Sequence, residues 1–357
     1  MSELITLSKK DSRFRSYIEG TFSKELRALP IQSLNVNTDA EQVTFRIFPV
    51  HEVKQPLWGF HWLQILKVRN FLLVAFPIFL VFIKNSLEGN LQDPLTGCLS
   101  AVGALCLMTA VNLRNDYLDH LSGLDRLHPQ SGSHAIQKGW VTAAQVQKWS
   151  FVYLLAGIIF GLPSLWLYPK IILLVGIFAL LGIFGMTSYQ MGLKYRRWSE
   201  WTVFLLLGPL LTSGMQYSLG SQLDLQILWM GLLTGWLSVF YMHLKNFDQL
   251  MVNNQAQFQN TMTWLGFEKG KKWLFSWWLL FALIFQAYQF HFSSLFWQVI
   301  FLSGLILVTL PFWKALRSLK SPLGSQMKTM NQIGQMAILF VMGLWILQGL
   351  WLFWLQP

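Results

Sequence analysis

From residue 64 onward the chain alternates long apolar stretches with short polar punctuation, and each stretch is close to the ~20 residues a bilayer crossing requires. Nine such stretches run at about 64–84, 95–115, 145–165, 169–188, 201–220, 226–244, 272–290, 293–313 and 333–355. A backbone in hydrocarbon must satisfy its own hydrogen bonds, so each is expected to be a helix. The expected fold class is all-α: a polytopic membrane bundle of about nine transmembrane helices over residues 61–357, preceded by a short cytoplasmic N-terminal extension over residues 1–60. That extension is polar, and only Val43 to Val50 alternates as a strand would. It is short for an independent core, so the expectation is a partly ordered tail held at the anionic membrane surface by its basic residues.

Composition agrees with the pattern. The chain is 54% apolar and only 12% charged, which suits lipid better than water as its solvent. Lys and Arg concentrate in alternate loops, among them Arg126, Lys138, Lys194, Arg196, Lys245 and Lys314, whereas the other side shows only Lys84 and Lys170. By the positive-inside rule the N-terminus is cytoplasmic and the C-terminus outside, as an odd number of spans requires. The expected location is a bacterial inner (plasma) membrane. The net charge of +11 is explained by this topology, so no nucleic acid is expected as a partner; anionic lipid or phosphate ligands are. Cys98 and Cys106 fall inside the second stretch without metal-ligand or disulfide spacing. Residues 1–20 lack an apolar h-region, so the first span is expected to direct insertion.

The candidate chemistry lies where the second stretch leaves the membrane, in Asn112-Leu113-Arg114-Asn115-Asp116-Tyr117-Leu118-Asp119-His120-Leu121-Ser122-Gly123-Leu124-Asp125-Arg126. Asn112, Asp116 and Asp119 stand at i, i+4 and i+7, one face of a helix, and can converge on one cation. Gly123 permits a turn that brings Asp125 back. Oxygen ligands without Cys or a His cluster favour Mg²⁺, and the matching substrate is a diphosphate. The alternative is solvated carboxylates capping helix ends. A second basic run, Tyr189 to Glu200, falls on the same predicted side, and its cations suit a departing diphosphate; each taken singly is also explained by topology.

The run NDYLDHLSGLD resembles the first Asp-rich motif of the UbiA superfamily of intramembrane aromatic prenyltransferases, with the spacing of its menaquinone-type (1,4-dihydroxy-2-naphthoate polyprenyltransferase) branch. LKYRRWSEWTVFLLLGPLLTSGMQY, from Leu193 to Tyr217, and AIQKGWVT, from Ala135, resemble further segments of that branch, and the likeness covers roughly residues 60–357. It implies that a polyprenyl group passes from its diphosphate to a small aromatic acceptor in a lipid bilayer, with Mg²⁺ held by two Asp-rich motifs. Carried onto this chain, it implies metal ligands at Asn115, Asp116, Asp119 and Asp125, and at Asn246 and Asp248 in the second motif; Asp116, Asp119 and Asp248 would be catalytic. Diphosphate would meet Arg69, Asn112, Arg126, Lys138, Lys194, Arg196 and Lys245, and Tyr189 and Tyr195 would line the substrate pocket. The second motif departs from the pattern: Gln249 and Asn253 occupy its two Asp positions, and amide oxygens ligate Mg²⁺ without formal charge. Lys245 is a candidate to supply the missing positive charge. Two other readings follow: the same scaffold with another acceptor, and a non-catalytic binder of polyprenyl phosphates. A transporter fits less well, because the polar residues gather at one membrane face.

Overall fold

The computed structural model describes residues 3–36, 38–54, 59–127, 133–187, 199–255, 258–323 and 325–355. They are mostly helical and form two compact units, one of Met1–Phe71 with Leu105–Ile159, the other of Leu72–Ala104 with Phe160–Pro357.

The first unit opens with an antiparallel sheet in the order β1-β3-β2, where β1 is Glu3–Ser8, β2 Leu26–Leu34 and β3 Gln42–Pro49. On β3, Val43, Phe45 and Ile47 are buried in alternation, the period-2 pattern that made this run legible. β1 and β2 lacked that signal. Pro30 sits in the edge strand β2, where a missing donor is tolerated and the register slips between Pro30 and Gln32. With helix α1 (Phe14–Glu19), the sheet encloses a core of Leu7, Phe14, Ile18, Val43 and Phe45. The described residues of 3–49 thus form a three-stranded sheet with one helix on it, where the sequence suggested a partly ordered tail. A short helix, α2 (Phe60–Ile65), a 3₁₀ turn at Val68–Phe71, the last part of α4 (Pro94–Ser122), α5 (Leu124–Leu127) and most of α6 (Ala143–Gly161) complete the unit. Ile65, Leu113, Tyr117, Leu118, Ile136 and Val146 form its second core.

The second unit contains α3 (Leu72–Leu87), the start of α4, α7 (Pro169–Thr187), α8 (Ser199–Leu205), α9 (Leu211–Ser218), α10 (Leu225–Asp248), α11 (Leu250–Gln255), α12 (Thr261–Phe292), α13 (Leu295–Ser318) and α14 (Gln326–Trp354). Its centre is aromatic: Phe240, Trp278, Phe281, Phe285, Phe301 and Phe312 are fully buried. Outward positions on the helices of this unit, such as Leu283, Leu307 and Leu347, are exposed and apolar, as lipid contact requires.

Among the described residues seven helices are long and apolar enough to cross a membrane, and Pro169–Gly185 is a shorter apolar one. The expected count of nine is not reproduced, for a physical reason at one place. The stretch expected as a single span over 201–220 is broken by a π-turn at Leu206–Leu210, where Pro209 lacks an N–H and Gly208 leaves helical geometry. Gly208 is forced by close approach: a Cβ there would lie 2.4 Å from the Gly231 carbonyl oxygen of α10.

Candidate active site

In the first unit, the helical course of α4 puts Asn112, Asp116 and Asp119 on one face, and Gly123, with φ +78°, ends the helix and starts the turn into α5. Asp116 and Asp125 are almost wholly buried, at 3% and 6% exposure. Asp119 is half-buried. Carboxylates are rarely buried without a partner. Here the partner is Lys67, whose Nζ forms an ion pair with Asp116 Oδ1. Lys67 precedes the first span and takes a left-handed backbone, φ +52°. Burial disfavours its ammonium, but Asp116, through charge and hydrogen bonding, and then Asp119 and Asp125 outweigh that and hold its pKa above the usual lysine value. Ser133 Oγ donates to the other Asp116 oxygen at 2.7 Å. Asn112 accepts from Asn70 Nδ2 at 3.2 Å, tying α4 to the segment that carries Lys67.

Asp125 is placed by a different set. Gln137 Nε2 donates to its Oδ2 at 3.0 Å and lies 3.2 Å from His120 Nδ1. Burial, together with the like charges of Asp119 and Asp116, pushes the Asp125 carboxyl above the usual carboxylate range, against the opposing pull of Lys67 and Gln137. Asn115 Oδ1 is buried with no hydrogen-bond partner among the described residues.

This donor set fits a hard divalent cation: all oxygen, an excess of negative charge, and an orphaned amide oxygen. Among the described residues no group of three or more carboxylates, histidines or cysteines is drawn together tightly enough to hold an ion, and Lys67 is the cation that lies against Asp116.

The other first-unit candidates make different contacts among the described residues. Arg126 is 6% exposed at its side chain and pairs with Glu41, just ahead of β3, while its Nη1 donates to the His120 carbonyl at 2.8 Å. Lys138 is exposed and lies over the Trp140 ring at 4.5 Å. Arg69 is exposed in the 3₁₀ turn. Sequence reasoning passed over Lys67, Gln137 and His120, although His120 and Gln137 lie in the runs it quoted; for Lys67, a lysine at the edge of the first span was the available signal.

In the second unit the degenerate motif is helical. Asn246 and Asp248 end α10, Gln249 turns the chain and Asn253 lies on α11. Asn246 and Asn253 are buried, and Asn246 Nδ2 has no hydrogen-bond partner among the described residues. Asp248 Oδ2 accepts from Asn331 Nδ2 of α14 at 3.0 Å. Lys245 is exposed. Nearby, buried Glu200 accepts from the Thr261 amide at 3.1 Å and its hydroxyl at 2.6 Å, capping α12, and His243 Nδ1 lies 3.6 Å from Glu200. Tyr189, Lys194, Tyr195 and Arg196 lie outside the described residues.

Helices of membrane-spanning length and apolarity among the described residues place the chain among α-helical membrane proteins. The chain belongs to the UbiA prenyltransferase family, whose pattern matches residues 74–339. Comparison with curated protein sequences gives no match. Among solved structures, one concerning digeranylgeranylglyceryl phosphate synthase is similar over 81% of this chain and 97% of its own, with 15% identity and a TM-score of 0.54. A UbiA homologue from Archaeoglobus fulgidus bound to GPP and Mg²⁺ is similar over 80% of this chain and 99% of its own, with 15% identity and a TM-score of 0.51. The homologue from that organism bound to DMAPP and Mg²⁺ covers 79% and 98%, with 12% identity and a TM-score of 0.54. At these identities the structural likeness speaks to the fold.

Proposed function

We propose that this protein is an Mg²⁺-dependent intramembrane prenyltransferase that moves a polyprenyl group from its diphosphate to a small aromatic acceptor, most like 1,4-dihydroxy-2-naphthoate in menaquinone biosynthesis, with its N-terminus in the cytoplasm of a bacterial cell. The observation that carries the reading is the burial of Asp116 on α4 and Asp125 on α5, with Lys67 paired to Asp116. The prenyl diphosphates and Mg²⁺ bound by the Archaeoglobus homologue support the substrate class. The acceptor rests on the resemblance of the NDYLDHLSGLD run.

Asp116, Asp119 and Asp125 would hold the ion, with Asn115 as a further oxygen donor and Asn112 orienting the segment. When bound, Mg²⁺ supplies the positive charge that makes diphosphate a leaving group. The chain's own residues do the rest. Lys67 holds Asp116 in place through their ion pair and would add a fixed cation beside the diphosphate as negative charge develops on it. Ser133 fixes the Asp116 rotamer and Gln137 that of Asp125. In the second unit, Asp248 is oriented by Asn331 and would act with Asn246 as the remaining oxygen donors of that motif.

The test is transfer from a radiolabelled polyprenyl diphosphate to 1,4-dihydroxy-2-naphthoate by the protein in nanodiscs with Mg²⁺. Wild type forms product, and Asp116→Ala loses on the order of 10²–10³ in rate. A second reading, a non-catalytic binder of polyprenyl phosphates, is favoured by the amides at Gln249 and Asn253. Mg²⁺-dependent diphosphate binding without product from any acceptor supports it; absence of binding removes both readings.

A further inference from the structure

The family match begins at residue 74, so the sheet of β1 to β3 lies wholly ahead of it. The sheet nevertheless meets the first Asp-rich segment at buried points, all within the first unit. Leu121, in the last turn of α4, packs on the sheet's core of Leu7, Phe14, Ile18, Val43 and Phe45. Val36 lies against the turn itself: a Cβ added to Gly123 would be 2.5 Å from Val36 Cγ1. Apolar docking of this kind holds a helix end but does not set a carboxylate's direction. Two polar threads do.

One begins at the Ile18 carbonyl. His120, 1% exposed, places Nε2 2.9 Å from it. A carbonyl only accepts, so Nε2 carries the proton and Nδ1 is left as an acceptor. That lone pair receives Gln137 Nε2 at 3.2 Å, and the same amide group donates to Asp125 Oδ2 at 3.0 Å. The Ile18 carbonyl of α1, which packs on the sheet, thus selects the tautomer that lets Gln137 face Asp125. The second thread begins at Glu41, 1% exposed, which pairs with Arg126; Arg126 in turn donates to the carbonyl of His120. The buried Glu41–Arg126 pair, continued by the Arg126 bond to the His120 carbonyl, joins the segment ahead of β3 to the turn from Gly123 to Leu127, and losing one partner of a buried pair is costly.

We propose that the amino-terminal sheet is a clamp on the first Asp-rich motif, with Glu41, His120 and Gln137 as positioning residues that set the direction of Asp125. The proposal deepens the prenyltransferase reading and rests on it for the role of Asp125. It also gives Arg126 a place in the scaffold of the site, apart from contact with diphosphate. The pair of Glu41 and Arg126 is the element that ties an amino-terminal segment outside the family pattern to the residues the chemistry needs.

The experiment uses the full chain in nanodiscs and two readouts, neither of them turnover. Hydrogen–deuterium exchange without metal reports the turn, and Mn²⁺ binding followed by its electron paramagnetic resonance signal reports the carboxylates. Glu41→Gln and Gln137→Leu are each expected to speed exchange across Gly123–Leu127 on the order of tenfold and to weaken Mn²⁺ roughly tenfold, with Glu41→Asp restoring part of both. Gln137→Leu lies outside the sheet's core, so it reads the thread even where Glu41→Gln perturbs folding. Exchange and Mn²⁺ affinity within about twofold of wild type for Gln137→Leu would overturn the clamp, as would faster exchange in the sheet with Mn²⁺ affinity unaltered. Wild type that binds no Mn²⁺ would instead refute the metal-site reading, and the exchange measurement would still decide whether the threads hold the turn.

Discussion

Lys67→Met tests the ion pair with Asp116 most directly. Methionine keeps the length and apolar stem of lysine and removes only the charge, leaving Asp116 buried at 3% exposure with Asp125 buried beside it at 6%. At an effective dielectric of ~20, two unit charges ~4 Å apart attract by about 4 kcal/mol, and desolvation of both ends offsets much of that. Removing one partner is more costly than the net worth of the pair, because the other charge is stranded: about 3–5 kcal/mol. At roughly 2 °C per kcal/mol for a large domain, the apparent melting temperature falls by about 6–10 °C. The loss is specific to the metal-free state. A divalent ion returns the missing charge, and a ligand at 100 times its dissociation constant adds about 2.7 kcal/mol. Saturating Mg²⁺ therefore recovers more than half of the loss in Lys67→Met and stabilises wild type less. The assay is thermal unfolding in detergent with Mg²⁺ titrated, run beside Asp116→Asn and the double variant. The double variant is expected to be more stable than Lys67→Met, since no charge is stranded. A Lys67→Met protein as stable as wild type, or one indifferent to Mg²⁺, refutes the reasoning.

Three further outcomes follow from named contacts. Asn253→Asp restores a carboxylate at a buried position of the second motif; without metal it lowers stability by about 1–3 kcal/mol, and millimolar Mg²⁺ recovers it in a thermal shift measurement if this segment takes an ion. Glu200→Gln weakens the cap on α12, where Thr261 donates through both its amide and its hydroxyl; the expected loss is about 1 kcal/mol in denaturant unfolding. Gly208→Ala places a Cβ 2.4 Å from the Gly231 carbonyl and 2.7 Å from Gly235 Cα; both are backbone, so the cost is about 3 kcal/mol or more and the yield of folded protein falls.

What the sequence determined by itself is what local periodicity and solvent chemistry dictate. Apolar runs of bilayer length became helices, because hydrocarbon leaves a backbone no other partner. The i, i+4, i+7 spacing put Asn112, Asp116 and Asp119 on one face of α4, and Gly123 supplied the left-handed turn before Asp125, because both depend only on neighbours along the chain. The alternation in β3 was equally local; β1 and β2 were not legible, since pairing with β3 rather than their own pattern makes them strands. The tertiary structure decided the contacts between segments distant in sequence. Lys67 against Asp116, Gln137 between His120 and Asp125, Glu41 against Arg126 and Asn331 against Asp248 each join elements whose proximity no spacing encodes. It also decided that the stretch over 201–220 breaks at Gly208 and Pro209, because the close approach of α10 is felt only once the helices are packed. Charge in a run such as NDYLDHLSGLD names a chemistry; burial, which belongs to the folded chain, decides which charges need a partner and which residue provides it.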